Sequence, residues 1–256
     1  MATVSYHGVA SPPRAVTLGV PQGGVLSPDL FNFFIADQPS VADLHIGFAD
    51  DSHDAESAVV VSDAADRLSV AMDKLDRWVD DKGLTLAPDK STVTLFTPDT
   101  HQSFLHPMVH LRGAALTLER YPTVLGVKFD PHFTFAHHAK AVATKARSRL
   151  ALLKATAGST WKASKETLLT TFKGLIKSVL NYAAPIWAPN TSPSSFQRLQ
   201  IVQNAALRVV TGCHVATPIN HLHSEVWELP VEPHAHMLGA QFLATALQPN
   251  HCSFPN

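Results

Sequence analysis

The sequence predicts an α+β chain whose first half mixes short strands with helices and whose second half is helical almost throughout. Three observations carry this expectation. Leu44, Ile46 and Phe48 alternate along the chain, the period of a half-buried strand. Within residues 62–82, Leu68, Ala71, Met72, Leu75, Trp78 and Val79 recur at the spacing of one helix face. From about Phe135 onward helical spacing dominates, with helices predicted over 136–157, 164–182, 193–211 and 233–247. The division falls near Asp130-Pro131, giving an α+β part over 1–130 and an all-α part over 131–256.

In chain order, AVTLGV (15–20) reads as a short strand running into the Pro-Gly turn of PQGG. Ser27 suits an N-cap and Pro28 the first helical position, so DLFNFFIADQ is expected to carry a helix to Pro39. HIGFADDSHDAES (45–57) follows, with a second apolar run, AVVV, at 58–61. That order places Asp50 and Asp51 at the tip of a hairpin, where a solvated polar turn is the plainest reading. Ser62 or Asp63 is expected to cap the next helix and Gly83 to end it. LTLAPDKSTVTLF predicts two short strands broken at Pro88, and VHLRGAALTL a hairpin turning at Arg112-Gly113. TVLGVKFD (123–130) reads as one more strand. For the helix over 193–211, Ser192 is the cap, Pro193 lies in the first turn and Gly212 stands just past the end.

A chain of 256 residues with 45% hydrophobic and 16% charged residues can bury a sizeable core and has ordinary globular composition. Cysteine occurs only at 213 and 252, which argues against a disulfide framework and for a reducing compartment. The N-terminal stretch lacks the apolar core of a signal peptide, and no run approaches the roughly 20 apolar residues of a membrane span. A nuclear or cytoplasmic protein, not secreted and not membrane-bound, is expected. The net charge of −1 conceals a division: residues 1–99 carry −9 and residues 100–256 carry +8. Between His137 and Val210 stand 11 basic residues and one acid, Glu166, a field suited either to a polyanion or to the solvated face of a helical bundle.

Taken together, VPQGGVLSPDLFNFFIADQP, FADD, LTLAPDKSTVTLF and TVLGVKFD resemble the palm of reverse transcriptases encoded by non-LTR (LINE-type) retrotransposons. The likeness continues through TFAHHAKAVATKARSRLALLKATAGSTW, KETLLTTFKGLIKSVLNYAAPIW and LQIVQNAALRVVTGCH, which resemble that family's thumb and following helices. The resemblance implies a partial polymerase palm, a small antiparallel sheet backed by helices, over 1–130 and a helical thumb with a C-terminal extension over 131–256. It implies RNA-templated addition of deoxynucleotides to a DNA primer, with an RNA template, deoxynucleoside triphosphates and Mg²⁺ as partners. Asp50 would bind metal, Asp51 would support the site, and Phe48 fills an aromatic position often held by Tyr. Gln22 and Gly23 would lie along the incoming nucleotide and template, with Gly24 departing from the usual Ser. Lys90 would neutralise or protonate pyrophosphate, and Leu125 and Gly126 would form the primer grip. Lys140, Lys145, Arg147, Arg149 and Lys154 on one helix, followed by Lys162, Lys165, Lys173 and Lys177, would lie against the primer–template duplex.

The family also needs a metal-binding Asp before the PQG motif, and no acidic residue precedes Asp29. The resemblance therefore implies a two-ion site that is incomplete here and a fragment inactive alone, its fingers and first catalytic Asp lying upstream. Asp37, Asp43 and Asp54 are poor replacements, since each follows the motif and has a reading as a helix-end or turn residue. The alternative is a non-catalytic RNA/DNA-binding remnant or recruited binding protein. Cys213, His214, His221 and His223 offer four possible zinc ligands at a spacing that fits no common structural pattern. Trp161, Trp187 and Trp227 could stack bases, although tryptophans in apolar helical segments generally serve the core.

Overall fold

A computed structural model describes residue 3 and residues 5–13, 19–20, 23–158 and 163–248. Most of the strand expected over 15–20 lies outside these residues, as do Gln22, Trp161, Lys162 and Cys252. The architecture is α+β, with small, mostly antiparallel strand pairs and many helices. Two compact units are present, one of residues 1–93 and 105–118, the other of 94–104 and 119–256.

In the first unit, β1 (Ser5–Tyr6) and β2 (Val9–Ala10) form a small hairpin through His7 and Gly8, both with positive φ. Helix α1 (Ser27–Phe34) keeps Pro28 in its first turn, but Leu26 rather than Ser27 occupies the cap and no side chain caps it. It also stops short of the expected end. Residues 35–38 tighten into turns, with Ala36 N–H donating to Phe33 O and Gln38 N–H to Ile35 O. The Asp37 carboxylate there meets Lys82 Nζ at 2.7 Å, which holds its pKa below the usual carboxylate value.

Strand β3 (Leu44–Phe48) pairs in antiparallel register with β4 (Asp51–Ala55), Leu44 opposite Ala55 and Phe48 opposite Asp51. The partner strand is thus DSHDA rather than AVVV. Ser57 N and Oγ both donate to Asp43 Oδ2, at 3.0 and 2.9 Å, closing the open end of the hairpin. The valines instead lead into α2 (Val61–Asp81), with Val60 at its cap and both Ser62 and Asp63 inside its first turn. Gly83, at φ 71°, ends that helix as expected.

After α2, the strand pair predicted around Pro88 is mostly a 3₁₀ turn, Pro88–Lys90, and only β5 (Thr92–Val93) forms a ladder. Proline has no N–H to give a ladder, which favours the turn. The hairpin of β6 (His110–Leu111) and β7 (Ala114–Ala115) turns at Arg112-Gly113 as predicted, and Arg112 reaches back to Asp76 (2.6 Å) and Asp80 on α2. Strand β8 (Thr117–Leu118) pairs in parallel with β5. A small core of Ala65, Val93 and Val109, flanked by Leu68, Met72, Leu116 and Leu118, holds this unit.

In the second unit, TVLGVKFD is a hairpin rather than one strand. β9 (Thr123–Val124) pairs with β10 (Val127–Lys128), and Leu125 (φ 46°) and Gly126 (φ 82°) make the two-residue turn. Two successive left-handed residues match the right-handed twist of the flanking strands. The buried Asp130 carboxylate then accepts from Phe135 N (2.7 Å), Thr134 N (3.0 Å) and His132 N (3.2 Å), launching α3 (Ala136–Thr156).

Helix α4 (Lys165–Phe172) passes through a π turn at Lys173–Lys177 into α5 (Ser178–Asn181), matching the single helix expected over 164–182. The chain bends at Ala183 (φ 51°) into α6 (Ala184–Trp187), a turn of helix too short to show in the sequence periodicity. Helix α7 (Pro193–Thr211) has the predicted ends: Ser192 Oγ accepts from Ser195 N, and Gly212 sits at φ 67°. Helix α8 (Ile219–Val226) is a further element that the periodicity does not predict, and α9 (Val231–Ala246) closes the described chain. Helices α3 and α7 pack together around Leu153, Phe172, Trp187, Leu199 and Leu207, within one continuous apolar core. Among the described residues no helix is long and apolar enough to cross a membrane.

Candidate functional site

Asp50 lies in the two-residue turn between β3 and β4, beside Ala49, whose φ is 53°. Asp51 is the first residue of β4, directly opposite Phe48, so their side chains share one face of the hairpin. Both carboxylates are exposed, and neither makes a hydrogen bond or ion pair among the described residues. On the opposite face, Asp54 is committed: its carboxylate bonds His45 Nδ1 at 2.8 Å and accepts from Ser52 Oγ at 3.0 Å. Asp37 and Asp43 are engaged as described above, and hydrogen bonds from Ser57 hold Asp43 below the ordinary carboxylate pKa. Among the described residues no group of three or more His, Cys, Asp or Glu side chains is placed to hold a metal ion.

Elsewhere in this unit, Gly23 adopts φ 84° with open space where a Cβ would stand, a conformation glycine takes without strain. Lys90 ends the 3₁₀ turn, exposed and unpaired among the described residues. Among the described residues no hydrogen bond or ion pair joins Gly23 or Lys90 to the hairpin that carries Asp50 and Asp51.

In the second unit the five basic residues expected on one helix all belong to α3, but they divide. Lys140, Arg147 and Lys154 recur every seven residues and form one exposed stripe. Lys145 and Arg149, four apart, share another flank. That flank lines a cavity of about 400 Å³ together with Gly126, Lys128, Ser178 and Tyr182. Arg149 Nη1 donates to Leu175 O (2.8 Å), a carbonyl within the π turn. Tyr182 Oη donates to Leu125 O at 2.6 Å, and its ring lies where a Cβ on Gly126 would meet Cε1 at 3.3 Å. Sequence reasoning gave Tyr182 no role, although it stands in the NYAAPIW segment that carries part of the family likeness.

The basic field shrinks on the next helix. Lys165 pairs with Glu225, while Lys173 (3.2 Å) and Lys177 both pair with the buried Glu228. None of Lys128, Lys140, Lys145, Arg147, Arg149 and Lys154 pairs with a carboxylate among the described residues, so α3 and β10 carry unpaired positive charge, as do Arg120 and, on α7, Arg198 and Arg208.

The family of reverse transcriptases (RNA-dependent DNA polymerases) matches residues 3–134, more than half of the chain. The chain belongs to the reverse transcriptase family. This reverse transcriptase chain is 27% identical over 229 residues to a probable RNA-directed DNA polymerase from transposon BS of Drosophila melanogaster, a match covering 84% of the chain and 24% of that protein. It is also 27% identical to a probable RNA-directed DNA polymerase from transposon X-element of the same species, covering 87% and 25%. The RNA-directed DNA polymerase from mobile element jockey of Drosophila funebris is 24% identical, covering 82% and 24%. These relatives agree with the motif resemblance to polymerases of non-LTR retrotransposons. The chain spans about a quarter of their length. No solved structure matches it.

In this reverse transcriptase chain the four residues considered for zinc are dispersed in their bonding. His223 is buried, with Nδ1 bound to Glu228 O (2.8 Å) and Nε2 near Asn204 Oδ1 (3.1 Å) and Gln200 Nε2 (3.1 Å). His214 Nδ1 accepts from Ala216 N. The tryptophans also separate: Trp187 is fully buried, as a core residue should be, whereas Trp227 is 94% exposed at the end of α8.

Proposed function

We propose that this chain supplies the metal-bearing hairpin of the palm and the nucleic-acid-binding thumb of an RNA-directed DNA polymerase from a non-LTR retrotransposon. The observation that carries the reading is the position of Asp50 and Asp51, adjacent and exposed, on a two-residue hairpin. Mg²⁺ takes one or two protein carboxylates together with substrate phosphate oxygens and water, so these two residues fit as part of a ligand set. When bound, Mg²⁺ would supply charge neutralisation at the phosphoryl group being transferred. The hairpin's ladder fixes where the two carboxylates sit, and the unpaired Lys90 ammonium is available to the leaving pyrophosphate. Leu125 and Gly126 present a tight turn to the primer, and Gln22 with Gly23 would accompany the nucleotide and template. The stripe Lys140–Arg147–Lys154 tracks backbone phosphates.

The ligand set is incomplete within this sequence. Asp37, Asp43 and Asp54 are each held by other partners, so we infer that the chain alone does not polymerise. Template-dependent DNA synthesis by the purified chain, lost in Asp50→Asn, would overturn that inference. The second reading, nucleic-acid binding without catalysis, is favoured by the unpaired cations on α3. Binding to an RNA–DNA hybrid should weaken steeply as salt rises. Neutralising Lys140, Arg147 and Lys154 should make the slope of log K against log salt shallower by about 0.9 for each phosphate left without its cation. Affinity that is flat from low to physiological salt excludes the phosphate-tracking role.

A further inference from the structure

The cavity beside the Leu125–Gly126 turn is built for more than a passing phosphate. Its charge comes from Lys128 on β10 and from Lys145 and Arg149 on α3, none paired with a carboxylate among the described residues. Arg149 is held in place by its bond to Leu175 O, so its guanidinium presents its remaining donors in a fixed direction. π turns occur disproportionately at functional sites, and this one supplies the carbonyl that holds the arginine.

Hydroxyl groups are also present. Thr123 Oγ1 has no hydrogen-bond partner among the described residues and lines the same space. Tyr182 is 54% exposed; its phenol is tied to Leu125 O and part of its ring rests on Gly126, which leaves aromatic surface open. At about 400 Å³ the cavity falls within the roughly 300–1,000 Å³ of small-molecule sites, and a phosphate alone would leave most of it empty.

We propose that this cavity receives one unpaired nucleotide of a bound strand, its phosphate on Lys128, Lys145 and Arg149 and its base against the Tyr182 ring. Every base has a π face, so such a site selects single-stranded character rather than sequence. The inference rests on the proposed nucleic-acid binding but goes beyond it, because a track along a paired duplex has no use for an aromatic wall.

The test uses the full chain and fluorescence anisotropy on two RNA–DNA hybrids, one blunt and one with a short single-stranded overhang. The expected result is affinity about tenfold higher for the overhang, consistent with one stacked base. Arg149→Gln and Tyr182→Ala should each erase the difference. Tyr182→Phe, which keeps the ring, should retain it, and melting curves establish that each variant is folded. Equal affinity for both hybrids, with salt-sensitive binding intact, overturns the nucleotide site and leaves the proposed function standing. Absence of binding to either hybrid overturns both. Adenosine monophosphate is the competitor: its addition should reduce the overhang preference while binding to the blunt hybrid persists, and equal loss of binding to both hybrids would overturn the cavity as the source of the preference.

Discussion

At Asp130 one buried carboxylate accepts three backbone N–H groups and the Thr134 hydroxyl, and the entry to α3 depends on it because Phe135 at the cap has no capping side chain. A neighbouring residue works by staying uncharged. His138 is buried, its Nδ1 accepts from Lys128 N (3.1 Å), and burial pushes its pKa down to about 4. The folded value lies below the unfolded one, so the unfolded chain takes up the proton first as pH falls. Stability is therefore complete above about pH 6.5 and is lost between there and about pH 4, by roughly 3 kcal/mol. Urea titrations of the wild type across that window should show the decline, and His138→Gln, which keeps an acceptor without titrating, should flatten it. Identical pH profiles for the two proteins would refute the assignment.

Elements here are decided by competition between periodicity and register. The long helices were legible because many apolar residues vote for one face, as in α2, α3 and α7. The hairpin partner of β3 was not: AVVV has the better strand composition, yet Val59 is 93% exposed and the ladder uses DSHDA. The His45–Asp54 pair across the strands and the Ser57–Asp43 closure favour that register, and neither is visible in a propensity scale. The β9–β10 turn was hidden for a similar reason, since Val124, Leu125 and Val127 make an apolar run interrupted only by Gly126. That glycine bears two constraints, φ 82° and the Tyr182 ring at 3.3 Å. Gly126→Ala should cost about 1–2 kcal/mol from backbone strain and more from the clash with the ring. Gly212→Ala, at φ 67° with open space around it, should cost only the backbone part. Equal losses in thermal unfolding would show that Tyr182 yields freely.

The two units of the molecule are unequal in what they bury. The helical unit has a continuous core running from Val127 to Ala235, whereas the other, among its described residues, buries few apolar side chains: the cluster of Ala65, Val93 and Val109, with Ala71, Leu75, Val79 and Leu111. It also leaves apolar side chains in water: Phe33 is 84% exposed, Phe48 59% and Leu44 53%. Local stability follows buried apolar packing. Amide hydrogen exchange should therefore protect α3 and α7 by orders of magnitude more than β3 and β4, and uniform protection would contradict this ordering. At this scale the sequence revealed the acidic and basic halves and the Asp50–Asp51 motif. It could not reveal the ion pairs of Lys173 and Lys177 with Glu228, some 50 residues away, or a cavity walled by the β9–β10 hairpin, α3 and α5.

The π turn at Lys173–Lys177 has a further consequence for how this fold tolerates change. An i→i+5 ring holds one residue more than an α turn, so everything after it is advanced by the rotation of a single residue, about 100°. Ser178 and Tyr182 owe their bearing to that added residue. A one-residue deletion there would leave a smoother helix of similar length while turning Tyr182 away from the Leu125 carbonyl. The irregular turn thus acts as a phase setting between the helix and the hairpin it supports, and lineages that keep the tyrosine should be under pressure to keep the length of that turn.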